Sequence, residues 1–210
     1  MIIENVKRID DKISFLPCSE EPLSAEVYLI RGKAYTYVVD VGSSDRAYEI
    51  INAIDKKKII ITHFHDDHMK NLKRLDISED MLFLGDHTEK ILESRVYSDE
   101  FVKCGTVVKK SLEMTDGIKL QICPIPSSHA KGSLGVIVCN EYLLIGDGYY
   151  CSSKGYNVSL LHDEISVLKS LDFTKVIMSH DEKVYSKEEI LSELEAIYAK
   201  KDKSSPFIIV

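Results

Sequence analysis

The chain has 210 residues, 44% of them hydrophobic and 29% charged, with 27 Lys and Arg against 34 Asp and Glu and a net charge of −7. That length suits one domain spanning 1–210, with a core large enough to need no disulfide or metal staples. The acidic balance argues against a nucleic-acid or anionic-membrane surface, where Lys and Arg would cluster.

In chain order, Ile2-Ile3 and residues 13–15 read as short strands, the second closed by Pro17. Residues 26–31 and 34–41 are β-rich runs around Gly32-Lys33, a two-residue turn signal that predicts a hairpin. The second run ends in Asp40-Val41-Gly42 and leads into a helical pattern over 45–54. Residues 58–61 are a β-branched strand that stops at Thr62 and delivers His63-Phe64-His65-Asp66-Asp67-His68. A helix is expected after Met69, then a strand over 81–84 and a helix over 86–94; residues 96–117 carry little pattern beyond the Asp116-Gly117 turn. Residues 118–122, 134–138 and 142–145 read as strands, the last two joined tightly at Asn140-Glu141. Residues 159–171 are helical in period, with Leu160, Leu161, Ile165, Leu168 and Leu171 on one face. A strand over 176–178, a helix over 187–200 with an acidic start, and an edge strand within 207–210 complete the reading. Strands thus come in two batches, each partly hairpin-linked and mixed with helices, and no period of 20 to 50 residues marks a solenoid. This predicts a sandwich of two mostly antiparallel sheets with helices outside, not a doubly wound parallel sheet.

Five cysteines (Cys18, Cys104, Cys123, Cys139, Cys151), with no Cys-x-x-Cys pair, fit a reducing cytosol better than a disulfide scaffold. Residues 1–11 lack the apolar core of a signal peptide, and no apolar run approaches bilayer length. The expected location is cytoplasmic.

The histidine cluster is where chemistry concentrates. Alternate residues of an extended segment point the same way, so His63 and His65 can converge on one cation while Phe64 turns inward. If a helix starts at Asp66-Asp67, which capping and the helix dipole favour, Asp67 and His68 can face a second cation. Three further stretches share one grammar, an apolar strand stopping at a ligand-capable residue: 123–129 ends in His129, 142–148 sets Asp147 between two glycines, and 176–181 ends in His180-Asp181. Five His and two Asp are the donor set for two four- or five-coordinate cations. His87 and His162 are left over and read as structural or exposed.

His63-x-His65-x-Asp67-His68, followed in order by His129, Asp147 and His180, resembles the metallo-β-lactamase superfamily of metal-dependent hydrolases. The likeness runs from about Val27 to His180, and Val39-Asp40-Val41-Gly42 matches the family's early strand-end Asp, which supports the site from behind. The resemblance implies an α+β, four-layer αβ/βα sandwich with metals at one edge between the sheets. It implies that His63, His65 and His129 hold a first metal, that Asp67, His68 and His180 hold a second, and that Asp147 bridges them. Asp in place of Cys at the bridge looks like the glyoxalase II, lactonase and phosphodiesterase branches. The motif is followed by Met69-Lys70-Asn71, not the glycine pair usual in glyoxalase II, and its extra helical domain finds no room in the chain. The flavodiiron reductases of this fold carry Glu where His65 stands.

Tyr149 and Tyr150, just after Asp147, are candidate substrate-binding residues by position alone. Loops 17–25, 96–117 and 148–157 are the expected pocket walls. The implied activity is hydrolysis of a small ester, thioester, lactone or phosphodiester. Two cations share a water, lower its pKa toward neutrality, and the bridging hydroxide attacks, with Asp67 orienting it as proton acceptor. Zinc suits the mixed N/O donors, and iron or manganese occupies similar sites. Two alternatives stay open: a mononuclear iron thiol-oxidising dioxygenase of the same fold, and a metal-holding module without turnover. Oligomeric state is not legible.

Overall fold

The computed structural model describes residues 6–78, 80–94 and 105–210; the expected strand at Ile2-Ile3 and residues 96–104 lie outside these. The first half runs through β1 (Lys7–Arg8), β2 (Ile13–Leu16), a small ribbon of β3 (Ser19–Glu20) with β4 (Leu23–Ser24), β5 (Val27–Arg31) and β6 (Thr36–Val39). Helix α1 (Asp45–Asn52) then leads to β7 (Lys57–Ile60), α2 (Asp66–Met69) with a 3₁₀ turn over Lys70–Arg74, β8 (Leu82–Leu84), α3 (Asp86–Ser94) and β9 (Gly105–Val107). The second half holds β10 (Leu112–Thr115), β11 (Lys119–Ile125), β12 (Ser133–Val138), β13 (Tyr142–Gly146), β14 (Tyr156–Asn157), α4 (Val158–Ser170), β15 (Lys175–Met178), β16 (Val184–Ser186), α5 (Lys187–Ala199) and β17 (Phe207–Ile208).

Two sheets result. One has the order β1-β2-β5-β6-β7-β8-β9, antiparallel as far as β6 and parallel from there. The other runs β10-β11-β12-β13-β15-β16 and is antiparallel except at β13–β15.

Both faces of each sheet are covered, which explains why the strands read as unbroken apolar runs. Along β7 and just beyond it, Ile60 enters the core between the sheets, while Ile59 and Ile61 face the layer of α1 and α3. Along β13, Leu144 joins that same central core, and Leu143 and Ile145 pack beneath α4 and α5. The layers are therefore helix, sheet, sheet, helix, the expected four-layer sandwich. Each fully buried Ile or Leu contributes about 1.5–3 kcal/mol relative to exposure. Cap chemistry sets helix starts: Ser44 accepts from Ala47 N, Asn157 from Ser159 N and Leu160 N, and Ser186 with Glu189 forms a capping box.

Three local expectations shift. The β5–β6 turn has four residues, 32–35, not two, because Asp116 accepts from Ala34 N and Tyr35 N and holds a wider loop. The β12–β13 turn centres on Cys139-Asn140, one residue earlier than expected. Both have positive φ (55° and 56°), and Glu141 N donates to Val138 O at 3.0 Å, the mirror-image turn that suits strand twist. Phe207–Ile208 pairs with β14 as a separate ribbon, not at the edge of either large sheet. Among the described residues, no helix is long and apolar enough to cross a membrane.

Candidate metal centre

The histidine-bearing segment leaves β7 and turns at His65, whose extended backbone caps the single helical turn of α2, so Asp66 and Asp67 do open a helix. The neighbouring loop grips this segment: Val41 N and Gly42 N donate to His68 O at 2.8 and 3.1 Å. Asn71, fully buried, donates from Nδ2 to Val41 O and Ser44 O. From the second sheet, the loop after β11 brings His129, the end of β13 brings Asp147, and the end of β15 brings His180. Gly146 (φ 58°) is needed there, since a Cβ would lie 2.6 Å from Thr62 Oγ1.

All seven sequence-predicted donors converge in two groups, His63-His65-His129-Asp147 and Asp67-His68-Asp147-His180, the donor atoms of each lying within 4.8 Å of one another. In the first, His65 Nδ1 is 3.0 Å from both His63 Nε2 and His129 Nε2, and Asp147 Oδ2 is 3.3 Å from His129 Nε2 and 3.9 Å from His63 Nε2. In the second, His68 Nε2 is 3.3 Å from Asp147 Oδ1 and 3.5 Å from Asp67 Oδ2, and His180 Nε2 is 3.1 Å from Asp67 Oδ2. Metal–ligand bonds of about 2.0–2.2 Å in a tetrahedron set donors about 3.3 Å apart, so both groups have the right size. His68 Nε2 and Asp147 Oδ1 are buried and have no hydrogen-bond partner, and a cation between them would satisfy both. His63, His68 and Asp147 form a buried floor, and His65, Asp67, His129 and His180 a more open rim.

Asp40 stands behind His68, as expected. Its Oδ2 lies 2.7 Å from His68 Nδ1, and it also accepts from Thr62 N and Thr62 Oγ1, both at 2.8 Å. An acceptor at Nδ1 puts the proton there and turns the Nε2 lone pair to the second group. With its own hydrogen given to Asp40, Thr62 Oγ1 can accept from His63 Nδ1 (3.2 Å), which frees His63 Nε2 for the first group. Asp40 adopts φ 59°, a strained conformation that Asn tolerates. Asp40→Asn keeps the backbone and removes an acceptor. Loss of such an outer partner typically costs 10–100-fold in metal affinity, so a chelator-competition titration should show that drop at the second ion, with a smaller one at the first through Thr62 and His63. An unchanged second affinity would rule the role out.

Burial, then the crowd of other imidazoles, holds His63 well below its usual 6.5, and burial with His129 lowers His65. His63 and His65 are thus held as neutral imidazoles, ready to coordinate. His68 behaves oppositely: burial works against its charge, but Asp40 and Asp147 lift it to about 10. The hydrogen bond to Asp67 raises His180. Burial pushes Asp67 and Asp147 upward, but His180 beside Asp67 and His68 beside Asp147 outweigh it, and both carboxyls sit below 3.8. A cation at the second group therefore displaces a proton from His68.

The two tyrosines, candidates by position, bond to protein acceptors. Tyr149 donates to Glu193 on α5 at 2.7 Å and Tyr150 to Ser179 O at 3.0 Å, so both hydroxyls are already committed to protein acceptors. His162 is exposed beside Asp163, as read. His87, read as structural or exposed, meets Phe64 edge-on and lines a 540 Å³ pocket next to His129, with Lys131, Lys154 and Phe207. Of the expected walls, 148–157 contributes Lys154 and Asn157 to this pocket, and 17–25 borders another. Thr62 and the buried Glu26, which accepts from His180 N, were not anticipated as site residues. Glu26 did carry a signal, a carboxylate heading an apolar strand.

The family model described as the metallo-beta-lactamase superfamily matches residues 21–96. Solved structures share the fold at low identity. A flavo di-iron protein variant from Thermotoga maritima is 15% identical, with a TM-score of 0.72, over 94% of this chain and 62% of that one. The chain thus spans about three fifths of that protein's length. The DIM-1 metallo-beta-lactamase is 16% identical, TM-score 0.69, over 92% of this chain and 96% of that one. VMB-1 is 17% identical, TM-score 0.71, over 92% and 95% respectively. No curated protein matches by sequence.

Proposed function

We propose that this chain is a member of the metallo-β-lactamase superfamily and a dinuclear metal-dependent hydrolase of a small ester, thioester, lactone or phosphodiester. One observation carries the reading: Asp147 turns Oδ2 to one histidine group and Oδ1 to the other, so a single carboxylate could serve two ions. His63, His65 and His129 would hold the first ion, and Asp67, His68 and His180 the second. A divalent pair there supplies Lewis acidity and an acidified nucleophilic water; mixed N/O donors suit zinc, and iron or manganese fits the same set.

The chain's own groups do the rest. Asp67, ionised and at the rim, can accept a proton from the attacking water and orient it. Asp40 and Thr62 fix the imidazole tautomers. The pocket beside His129, apolar at Phe64 and Phe207 and cationic at Lys131 and Lys154, offers a seat for the substrate's body. The free thiols Cys18, Cys123, Cys139 and Cys151 suit a reducing, cytoplasmic setting. The second group is as complete as the first, which favours two ions over the mononuclear dioxygenase reading.

The test is elemental analysis of the purified protein, then turnover on ester, thioester, lactone and phosphodiester panels. Two ions per chain and hydrolysis of one class are expected. One iron per chain with thiol oxidation would replace the proposal with the dioxygenase, and two ions without turnover would replace it with a metal-holding module.

A further inference from the structure

Glu26 is a carboxylate in an inhospitable place. It is fully buried just before β5, between Ala25 and Val27, which are buried as well. One oxygen, Oε2, accepts the backbone N–H of His180 at 2.7 Å; the other, Oε1, has no hydrogen-bond partner. Burying a carboxylate is unfavourable, and the Oε2 bond, with the Cys18 thiol close beside the carboxylate, offsets part of that cost.

His180 has φ 62°, in the left-handed region that residues with a Cβ rarely adopt. Such a conformation persists only where its surroundings over-determine it. The residues before it are pinned: Met178 O accepts from Tyr28 Oη, Ser179 N donates to Gly146 O, and Ser179 O accepts from Tyr150 Oη. Glu26 adds the hold on His180 itself, reaching from the first sheet to the end of the last ligand strand of the second. In that pose His180 Nε2 lies 3.1 Å from Asp67 Oδ2 and 3.8 Å from Asp147 Oδ1.

We propose that Glu26 is the positioning residue of the second ion: by clamping the His180 peptide N–H across the two sheets, it keeps His180 in the left-handed pose that completes the Asp67-His68-Asp147 group. This rests on the two-ion reading. Without the clamp, His180 relaxes toward ordinary backbone geometry and its ring leaves the group. His63, His65 and His129 are held by other contacts and should not respond.

The full-length, metal-free protein is titrated with Zn²⁺ against a chromophoric chelator, and histidine ring nitrogens are followed by ¹⁵N NMR. Glu26→Met fills similar volume and cannot accept the bond, whereas the amide oxygen of Glu26→Gln can. For Glu26→Met, one of the two affinities is expected to fall about 10–100-fold, with the His180 ring losing its zinc-bound shift and His63, His65 and His129 keeping theirs. Glu26→Gln should hold both affinities within about threefold of the parent, by the same positional logic. Equal loss at both ions, or no loss in the Met variant, overturns the proposal. So does a folded Gln variant that loses the second ion, and this decides the matter if the Met variant does not fold. A parent protein that takes only one ion overturns the two-ion reading and the role of Glu26 with it.

Discussion

Asp147→Ala is expected to leave at most one ion per chain after dialysis and to lower turnover by at least about 10²–10³-fold, the range seen when one preorganised electrostatic contact is lost. Each group would drop from four donors to three, and in both the lost donor lies 3.3 Å from a histidine nitrogen, at His129 and at His68. In the proposed two-ion site the shared carboxylate would also set one negative charge between the cations, and without it their repulsion would be less screened. The two losses therefore couple, and the double occupancy falls further than either site alone. Elemental analysis together with steady-state rates on the best substrate checks this. A variant with two ions and parental turnover would remove the bridge from the account.

Glu164→Met is expected to stabilise the protein by about 1–3 kcal/mol near pH 8, the range for relieving an unpaired buried polar group. Glu164 lies on α4 with no exposed surface, among Leu161, Ile165 and Leu168, and neither carboxyl oxygen has a partner. Burial alone raises its pKa well above 4.5. The sign follows from proton linkage: the folded chain keeps a proton that the unfolded chain releases above about 4.5, so wild-type stability falls as pH climbs from there toward the raised value. Methionine carries no such penalty, so the advantage of the variant should widen from pH 5 to pH 8. Guanidinium unfolding at the two pH values measures it; a variant less stable than its parent at pH 8 would mean that an unseen partner satisfies the carboxyl.

The donors were legible in the sequence because each announces itself locally, as a β-branched or apolar run cut off by His or Asp. His63, His129, Asp147 and His180 all stand where a buried strand meets the open edge of the sandwich. Helix α3 (Asp86–Ser94) matched its expectation because Gly85 and the acidic start mark it within a few residues. What stayed hidden depends on distant partners. Strand β9 exists because Leu82, Phe83 and Leu84 offer a parallel edge to Gly105, Thr106 and Val107, and nothing within 105–107 says so. The wide turn after β5 is set by Asp116, more than eighty residues away. Glu164 falls on the buried stripe of α4, but a carboxylate on an apolar face reads as exposed until the packing is known. Tyr149 and Tyr150 sit beside Asp147 in sequence, yet adjacency does not fix where a hydroxyl points.

The ligands arrive in a telling order along the polypeptide. Four of the seven come from the first sheet by His68, whereas His129, Asp147 and His180 belong to the second. A nascent chain therefore shows a partial, low-affinity histidine patch for much of its synthesis and gains the complete cage only once β15 is in register. Bound metal would favour the finished sandwich, the state with the complete donor set. The ions would then act as a late latch between two separately assembled halves, and cellular metal supply would set how firmly those halves stay together.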